Sequence, residues 1–341
     1  MKNFTAVLGL ILLTCFESFS QFNVDRIVIG SGGIYGNPDD HVMINGYNPS
    51  NQNTSLIGEV FRESIQDIVI AGDFAFVAAE DSIVKFDLVN NSKVAAVYET
   101  NLSRLFYHNQ FLYVTRRSDI NGAPADGIYL KVFYGYNLEH FYDVEEITAD
   151  AAGVAVANNS VFVAVPGDWM STEGHLAILN SDLDVDTIIN LGNEAVGISD
   201  LFVTEEKLYS VNRTPYLATQ GSVTEYSFNS GVWQNHVLNH VIGRGVDISD
   251  NKLFLVQDYG IGYFDLISGT LSENLLIPDP GSSTSLFIAD AVYEPLSSLL
   301  YVSITDYFST GFGKIFNLSG AETGSFDAGI SAEALAIHYE I

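Results

Sequence analysis

The sequence predicts an all-β protein, a seven-bladed β-propeller of four-stranded blades, on three observations. First, a short phrase recurs seven times, in which a large apolar residue ends a hydrophobic stretch and Asp or Asn follows it. Second, short apolar runs alternate with turn residues along the whole chain. Third, the two ends of the chain complement each other. Self-similarity at a period of about 40 residues, built from short strands, is typical of propellers. The copies are Tyr47-Asn48, Phe86-Asp87, Tyr136-Asn137, Leu179-Asn180, Phe228-Asn229, Phe264-Asp265 and Phe316-Asn317.

The second unit shows the predicted blade most simply. Its strands are expected at residues 65–70, 74–78, 82–87 and 92–98, with turn residues such as Gly72 and Asp73 between them. Such pairs between apolar runs favour hairpins, and four strands in about 40 residues make one blade. No segment has a sustained helical period with caps, so almost no helix is expected. The first hairpin recurs at residues 105–114, 154–164, 201–209, 246–255 and 291–302.

The chain ends predict a closed ring. The chain opens with strands at residues 26–29 and 41–44, which correspond to later strands of a unit, and closes with a lone first strand at residues 334–339. Pairing the last strand with the opening ones completes the seventh blade. Closure protects the strand edges and holds both ends of the domain.

Residues 1–20 are interpreted as a signal peptide and residues 21–341 as one propeller domain. Lys2 supplies the positive end, residues 6–13 are apolar, and Ser18 and Ser20 are small residues before the predicted cleavage. The apolar run is shorter than the ~20 residues that a spanning helix needs, so no transmembrane segment is expected in the mature chain. Lipidation at Cys15 is the alternative to simple secretion. Either way the protein is expected to be exported, to the cell surface, the periplasm or the medium.

The charge balance disfavours two classes of partner. The chain has 42 acidic and 14 basic residues and a formal net charge of −28. Binding to nucleic acid through its phosphates is therefore disfavoured, as is attachment to an anionic membrane. The acidic surface either keeps a strand-rich protein soluble or collects cations and basic partners.

Aligning the units predicts a polar ring at the mouth of the central channel. Two interpretations stay open: the aspartates bond neighbouring backbone amides and fix blade packing, or the ring contacts a ligand. The first aligned column is Asp67, Arg104, Gly153, Asp200, Gly245, Asp290 and Ala334, and the column before it is Gln66, Ser103, Ala152, Ser199, Arg244, Ala289 and Glu333.

The loops between the second and third strands of each blade predict a recognition surface on the same face. They are expected to be short in the second and sixth blades and long elsewhere, where they carry aromatic residues and arginines. Such side chains are enriched in interfaces, and long loops on a rigid scaffold commonly carry binding function. The alternative is that the rings fold back over their own loops. The candidates are Ile34, Tyr35, Arg116, Arg117, Trp169, Met170, Arg213, Tyr216, Tyr307, Phe308 and Phe312, with Tyr259 from the short sixth-blade turn.

No catalytic residue and no cofactor are predicted. Residues 30–36 contain a glycine-rich loop, but Tyr35 occupies its third glycine position and no helix follows to present its N-terminus to a phosphate. The seven histidines lack zinc-site spacing, and no nucleophile elbow is present. Ca²⁺ is the one ion considered, at Asp39, Asp40 and the ring carboxylates, without a dedicated calcium motif.

One stretch resembles a known family. Residues 27–36 run into the phrase at residues 43–49, then Val60-Phe61 and a Gln-led strand at residues 66–70. This is similar to the first blade and a half of the YncE-like, DUF5074-type surface propellers of Bacteroidetes. The resemblance implies a seven-bladed ring that holds a ligand on its loop face without catalysis. The best-understood members bind cobalamin and pass it to an outer-membrane transporter.

Three functions follow as hypotheses. The first is a non-catalytic propeller that captures a bulky small molecule such as a corrinoid, and it requires Trp169 and Tyr307 to be accessible. The second is a scaffold for outer-membrane or surface proteins, which predicts a broad exposed apolar face. The third is a hydrolase or lyase that uses the funnel carboxylates. It fails if Asp67, Asp200 and Asp290 are all bonded to backbone.

Overall fold

The computed structural model describes residues 23–340 except Tyr35 and Pro38. The predicted signal peptide, Cys15 and the candidate Tyr35 therefore lie outside the described residues. Within them the chain forms 28 strands in seven four-stranded antiparallel sheets, and its only helical segments are the 3₁₀ turns Asn193–Ala195 and Ser282–Thr284. The predicted seven-bladed, nearly helix-free architecture is confirmed. No helix in this part of the chain has the length and apolar character needed to cross a membrane.

The blades follow one another along the chain, with the innermost strand first in every blade but the first. Blade 1 contains β1 (Val24–Ser31), β2 (Val42–Asn48), β3 (Asn53–Val60) and β28 (Ala332–Tyr339); blade 2, β4 (Asp67–Ala71), β5 (Phe74–Ala79), β6 (Ser82–Asp87) and β7 (Ser92–Tyr98); blade 3, β8 (Leu102–His108), β9 (Phe111–Arg116), β10 (Leu130–Tyr134) and β11 (His140–Asp143); blade 4, β12 (Val154–Ala157), β13 (Ser160–Val165), β14 (Gly174–Leu179) and β15 (Val185–Gly192). Blade 5 contains β16 (Ile198–Val203), β17 (Lys207–Asn212), β18 (Gly221–Ser227) and β19 (Trp233–Leu238); blade 6, β20 (Ile242–Ser249), β21 (Lys252–Gln257), β22 (Gly260–Asp265) and β23 (Thr270–Leu271); blade 7, β24 (Phe287–Glu294), β25 (Leu299–Thr305), β26 (Thr310–Asn317) and β27 (Glu322–Ile330).

The ring closes as predicted, because β28 is the innermost strand of blade 1 and pairs antiparallel with β1. Its His338 side chain contacts Asp25 of β1 at 2.9 Å and Asp73 of blade 2 at 3.3 Å. The last strand is therefore joined to both the first strand and the next blade, which leaves no open edge at the junction.

The middle strands are apolar because blades pack against both of their faces. In β5 only Phe74 is incompletely buried, whereas no residue of the outer strand β7 is buried. The core between blades 1 and 2 contains Val28 and Ile44 from one side and Val77 from the other. Burial on both faces explains why these strands read as continuous apolar runs rather than as an alternation.

The recurring apolar–Asp/Asn phrase has a definite structural role. The apolar member is buried in most copies, as with Phe86 and Phe264, and the polar member closes the turn into the outermost strand. The Asp87 carboxylate, for example, accepts the backbone N–H groups of Val89 and Asn90, both at 2.9 Å. Asx turns of this kind recur at Asn48, Asn137, Asn180, Asp265 and Asn317.

Candidate functional site

One face of the ring carries a cavity of about 630 Å³ above the central channel, which we call the funnel. The connections that lead into the innermost strands and the loops between second and third strands surround it. All seven residues of the second aligned column line the funnel, with Arg104 alone from the first column. The predicted residues that line the funnel are Gln66, Ser103, Arg104, Arg117, Ala152, Ser199, Arg213, Arg244, Ala289, Tyr307 and Glu333.

The three ring aspartates clamp neighbouring blades together through backbone amides. Asp67 accepts the N–H of Leu105 in blade 3 at 2.8 Å. Asp200 accepts the N–H of Gly245 in blade 6 at 2.9 Å. Asp290 accepts the N–H of Leu335 in β28 at 2.7 Å, and this bond spans the ring closure. These three aspartates thus fix the packing of neighbouring blades, and the hydrolase or lyase hypothesis loses the carboxylates on which it depended.

Burial and ion pairing shift the pKa values of these carboxyl groups in opposite directions. Burial raises the pKa of Asp67 and of Asp290, and the nearby guanidiniums of Arg104 and Arg244 only partly oppose it. Burial also acts to raise the pKa of Asp200, but Arg213 and Arg104 outweigh it and lower that pKa to about 2. Asp200 is therefore the ring carboxylate held most firmly in its charged form.

Arginines form a layer between the funnel and the channel below. Arg104 lies 3.6 Å from Asp200 and 3.9 Å from Asp67, while Arg244 lies 2.9 Å from Asp290. Both arginines line the funnel and also a second cavity of about 190 Å³ beneath it. A ligand entering from the loop face therefore meets guanidinium groups before it reaches the aspartates.

The loops around the funnel carry exposed apolar and aromatic side chains. Trp169, Met170, Tyr216 and Phe308 are 90%, 64%, 94% and 75% exposed. None of these side chains folds back under its own loop. Tyr307 is 38% exposed and lines the cavity itself. We call these five residues, with Tyr259, the rim.

Two rim tyrosines adopt a left-handed backbone conformation that usually favours glycine. Tyr259 has φ of 68° and Tyr307 has φ of 67°. The turn around Tyr307 is fixed by Asp306, whose carboxylate accepts the N–H groups of Phe308 and Ser309 at 2.9 and 2.7 Å. Bulky residues in this conformation are often found at functional sites, where the surrounding structure holds them.

Two expectations about the loops were wrong. Arg116 does not reach the funnel, because it is the last residue of β9 and its side chain is buried. There it pairs with Glu99 at 3.0 Å and Asp126 at 2.6 Å, which ties the long blade 3 loop to its blade. The blade 7 loop is also shorter than expected, at residues 306–309, so that Phe312 belongs to β26.

The sequence interpretation missed Phe287. Its ring lies 6.1 Å from that of Tyr259 and 6.3 Å from that of Tyr307, so that the three aromatics form a continuous row beside the funnel. The innermost strand of blade 7 was expected to start at residue 291. It starts at Phe287 because a bulge between Ile288 and Asp290 shifts the register. The apolar Phe287-Ile288 pair just before the predicted strand was the available signal.

The described residues contain no group of three or more His, Cys, Asp or Glu side chains that could hold a metal ion. Asp40, one of the residues considered for Ca²⁺, accepts the backbone N–H of Ile34 at 2.9 Å. Ca²⁺ binding stays an untested expectation.

Comparison with known proteins identifies the fold and no family. No protein-family model matches the chain, and no curated protein matches it either. Solved structures do match. A protein from Lactobacillus plantarum is 10% identical, with a TM-score of 0.66, covering 92% of this chain and 99% of that one. A "putative 6-phosphogluconolactonase" from Bacteroides fragilis is 11% identical, with a TM-score of 0.63 and coverage of 92% and 98%. A hypothetical selenium-binding protein from Sulfolobus tokodaii is 10% identical, with a TM-score of 0.65 and coverage of 93% and 91%.

Proposed function

We propose that this chain is an exported, non-catalytic propeller that captures a small molecule on its loop face. The observation that carries the proposal is the funnel, whose volume of about 630 Å³ lies in the range of small-molecule sites. Its polar arginine layer and its aromatic rim provide the two kinds of contact that such sites combine.

The rim supports capture over a purely structural role for the loops. Trp169 is 90% exposed, and covering such a large indole with a ligand removes apolar surface from water, which stabilises the complex. The strained tyrosines support it as well, because a left-handed Tyr259 or Tyr307 costs stability that glycine would avoid.

A corrinoid is the first ligand to test. The resemblance of residues 26–90 to the YncE-like surface propellers motivates this choice, since the best-understood members of that family bind cobalamin. A corrinoid is larger than the funnel, so we expect its ring to lie across the rim, with peripheral groups reaching toward the arginines.

The test is a calorimetric titration of the purified protein with cyanocobalamin and with cobinamide. We expect one-to-one binding that is lost when Trp169 and Tyr307 are both replaced by alanine. Trp233→Ala is the matched control, because Trp233 lies on the outer strand β19 and should leave binding unchanged. Absence of heat with both ligands would remove the corrinoid. Equal loss of binding in the Trp233 variant would show that the site lies elsewhere.

A protein-interaction scaffold is the second candidate function. Adjacent loops of blades 3, 4 and 5 expose Ile120, Trp169, Met170, Tyr216 and Leu217, at 93%, 90%, 64%, 94% and 86%. Exposed apolar side chains on neighbouring loops are typical of docking surfaces for other proteins. Cross-linking at residue 120, in the blade 3 loop that also carries the funnel-lining Arg117, would separate this function from small-molecule capture. A cross-linked surface protein, with no small-molecule binding, would favour the scaffold.

A further inference from the structure

Arginines are concentrated at the funnel far beyond their share of the chain. The sequence contains seven arginines in a protein of net charge −28, and four of them line this one cavity: Arg104, Arg117, Arg213 and Arg244. A groove of similar size, about 590 Å³, lies between blades 1 and 2 and contains one arginine, Arg62, which pairs with Asp81. The concentration is therefore specific to the funnel rather than a property of cavities in this chain.

Several donors of these arginines have no acceptor among the described residues. The Nε atoms of Arg213 and Arg244 are buried and make no hydrogen bond in this part of the chain. The exposed Arg117 has no carboxylate within 4.0 Å among the same residues. A buried N–H group without an acceptor is destabilising, and native proteins normally satisfy it. The two Nε atoms are themselves covered, so a ligand would be held by the N–H groups at the ends of the guanidiniums, above all those of Arg117.

The acceptors around the funnel are, by contrast, already engaged. Asp67, Asp200 and Asp290 accept backbone N–H groups of the next blade. Asp150 accepts both the backbone N–H and the hydroxyl of Ser118 at 2.8 Å. Glu333 accepts the hydroxyl of Ser331 at 2.6 Å. Each of these carboxylates thus accepts at least one hydrogen bond from the protein, whereas the Arg117 guanidinium pairs with no carboxylate among the described residues.

We propose that the captured molecule is an oxyanion, a small compound with a phosphate or several carboxylates, and that Arg117 and Arg213 hold its charged group. This inference rests on the proposed function and adds the ligand class. Arg213 shares its one carboxylate partner among the described residues, Asp200 at 3.2 Å, with Arg104 at 3.6 Å, so this carboxylate does not occupy all five N–H donors of Arg213. Guanidiniums bind such groups through paired N–H donors, which lysines cannot do.

The test measures binding of two anionic probes, inorganic phosphate and citrate, by calorimetry at low and at high salt. We expect citrate to bind more tightly than phosphate, and its Kd to rise about tenfold in Arg117→Gln and in Arg213→Gln. Arg213→Lys should recover the affinity only in part, because it restores charge without the paired donors. The matched control is Arg62→Gln, which makes the same change in charge at the groove between blades 1 and 2.

Two results would overturn the oxyanion assignment. One is an absence of binding by both probes in wild type, with unchanged melting temperature. The other is a loss of affinity in Arg62→Gln as large as in Arg117→Gln, because the loss would then reflect the overall charge of the protein and not contacts in the funnel. If cyanocobalamin or cobinamide still binds, and the binding depends on Trp169, the capture function would be retained and only the anionic ligand class would be rejected. If phosphate, citrate, cyanocobalamin and cobinamide all fail to bind, the result would count against both the oxyanion assignment and the capture function. Arg117→Gln keeps the experiment interpretable, because this exposed side chain pairs with no described carboxylate and its loss should not affect folding.

Discussion

Replacing Asp290 with asparagine tests the clamps that hold the funnel floor and close the ring. The Asp290 side chain is 4% exposed and lies 2.9 Å from Arg244. It also accepts the backbone N–H groups of Leu335 and Ala291, at 2.7 and 2.6 Å. In asparagine the Nδ2 group cannot accept a hydrogen bond, so one backbone donor loses its partner and Arg244 loses its counter-charge.

The expected loss is large relative to the stability of a domain. Removing one partner of a buried ion pair costs about 3–5 kcal/mol. Native domains have free energies of unfolding of about 5–15 kcal/mol. We therefore expect Asp290→Asn to remove about a third of the stability, with the greatest local effect at β28, which this side chain bonds to blade 7.

Asp67→Asn is the matched comparison. Asp67 makes the same two kinds of backbone hydrogen bond, to Leu105 at 2.8 Å and Ile68 at 3.0 Å, but Arg104 is 3.9 Å away. Its loss should therefore stay near the cost of one unsatisfied donor, about 1–3 kcal/mol. Urea unfolding gives the two free energies, and hydrogen exchange of residues 332–339 reports the local effect. A loss in Asp290→Asn no greater than in Asp67→Asn would refute the ion-pair reasoning.

Three further substitutions separate stability from binding. The pKa of Asp200 is about 2 in the folded protein against 3.8 in the unfolded chain, which contributes about 2 kcal/mol of stability. This contribution is present above pH 3.8 and is lost as the pH falls to 2. Acid unfolding of Asp200→Asn should lack this part of the pH dependence. Tyr259→Gly relieves the left-handed strain but loses the contact with Phe287, and the two effects oppose each other. The free energy of unfolding, measured by thermal unfolding, should change by no more than about 1 kcal/mol, while ligand affinity falls. Arg116→Met removes one of the two cations that pair with Glu99, whose carboxylate keeps Lys131 at 3.1 Å. It should cost about 1–3 kcal/mol in urea unfolding, as for a lost buried hydrogen-bonding partner, without changing affinity, since Arg116 lies outside the funnel.

The fold was predictable because its signals are local and repeated. The turn pairs take left-handed conformations where expected, as at Asn158 and Asn159 with φ of 50° and 62°. Ring closure was predictable as well, because the unit split between the two ends can be recognised from strand order alone. The start of the innermost strand in blade 7 was placed too late because Asp290 interrupts the apolar run at the bulge, which separated the Phe287-Ile288 pair from the rest of the strand.

The site was predictable in its position and less so in its members. Arg116 and Arg117 are adjacent, and successive residues at a strand end point to opposite sides, so the sequence could not tell which one faces the funnel. In the structure, Arg116 is the buried residue and belongs to an ion-pair network with Glu99, whereas Arg117 is exposed. The donors without acceptors on Arg213 and Arg244 could not be foreseen either, because they depend on distances across blades.

Hydrogen exchange with and without a bound probe tests the central claim, that a ligand occupies the loop face, most directly. The protein is saturated with citrate or cyanocobalamin, whichever gives heat in the titrations. We predict protection of residues 166–173, 213–220 and 306–309, which belong to the rim loops. The turns at residues 158–159 and 250–251, on the opposite face, should exchange unchanged. Protection of those turns, with the rim loops unaffected, would contradict the account.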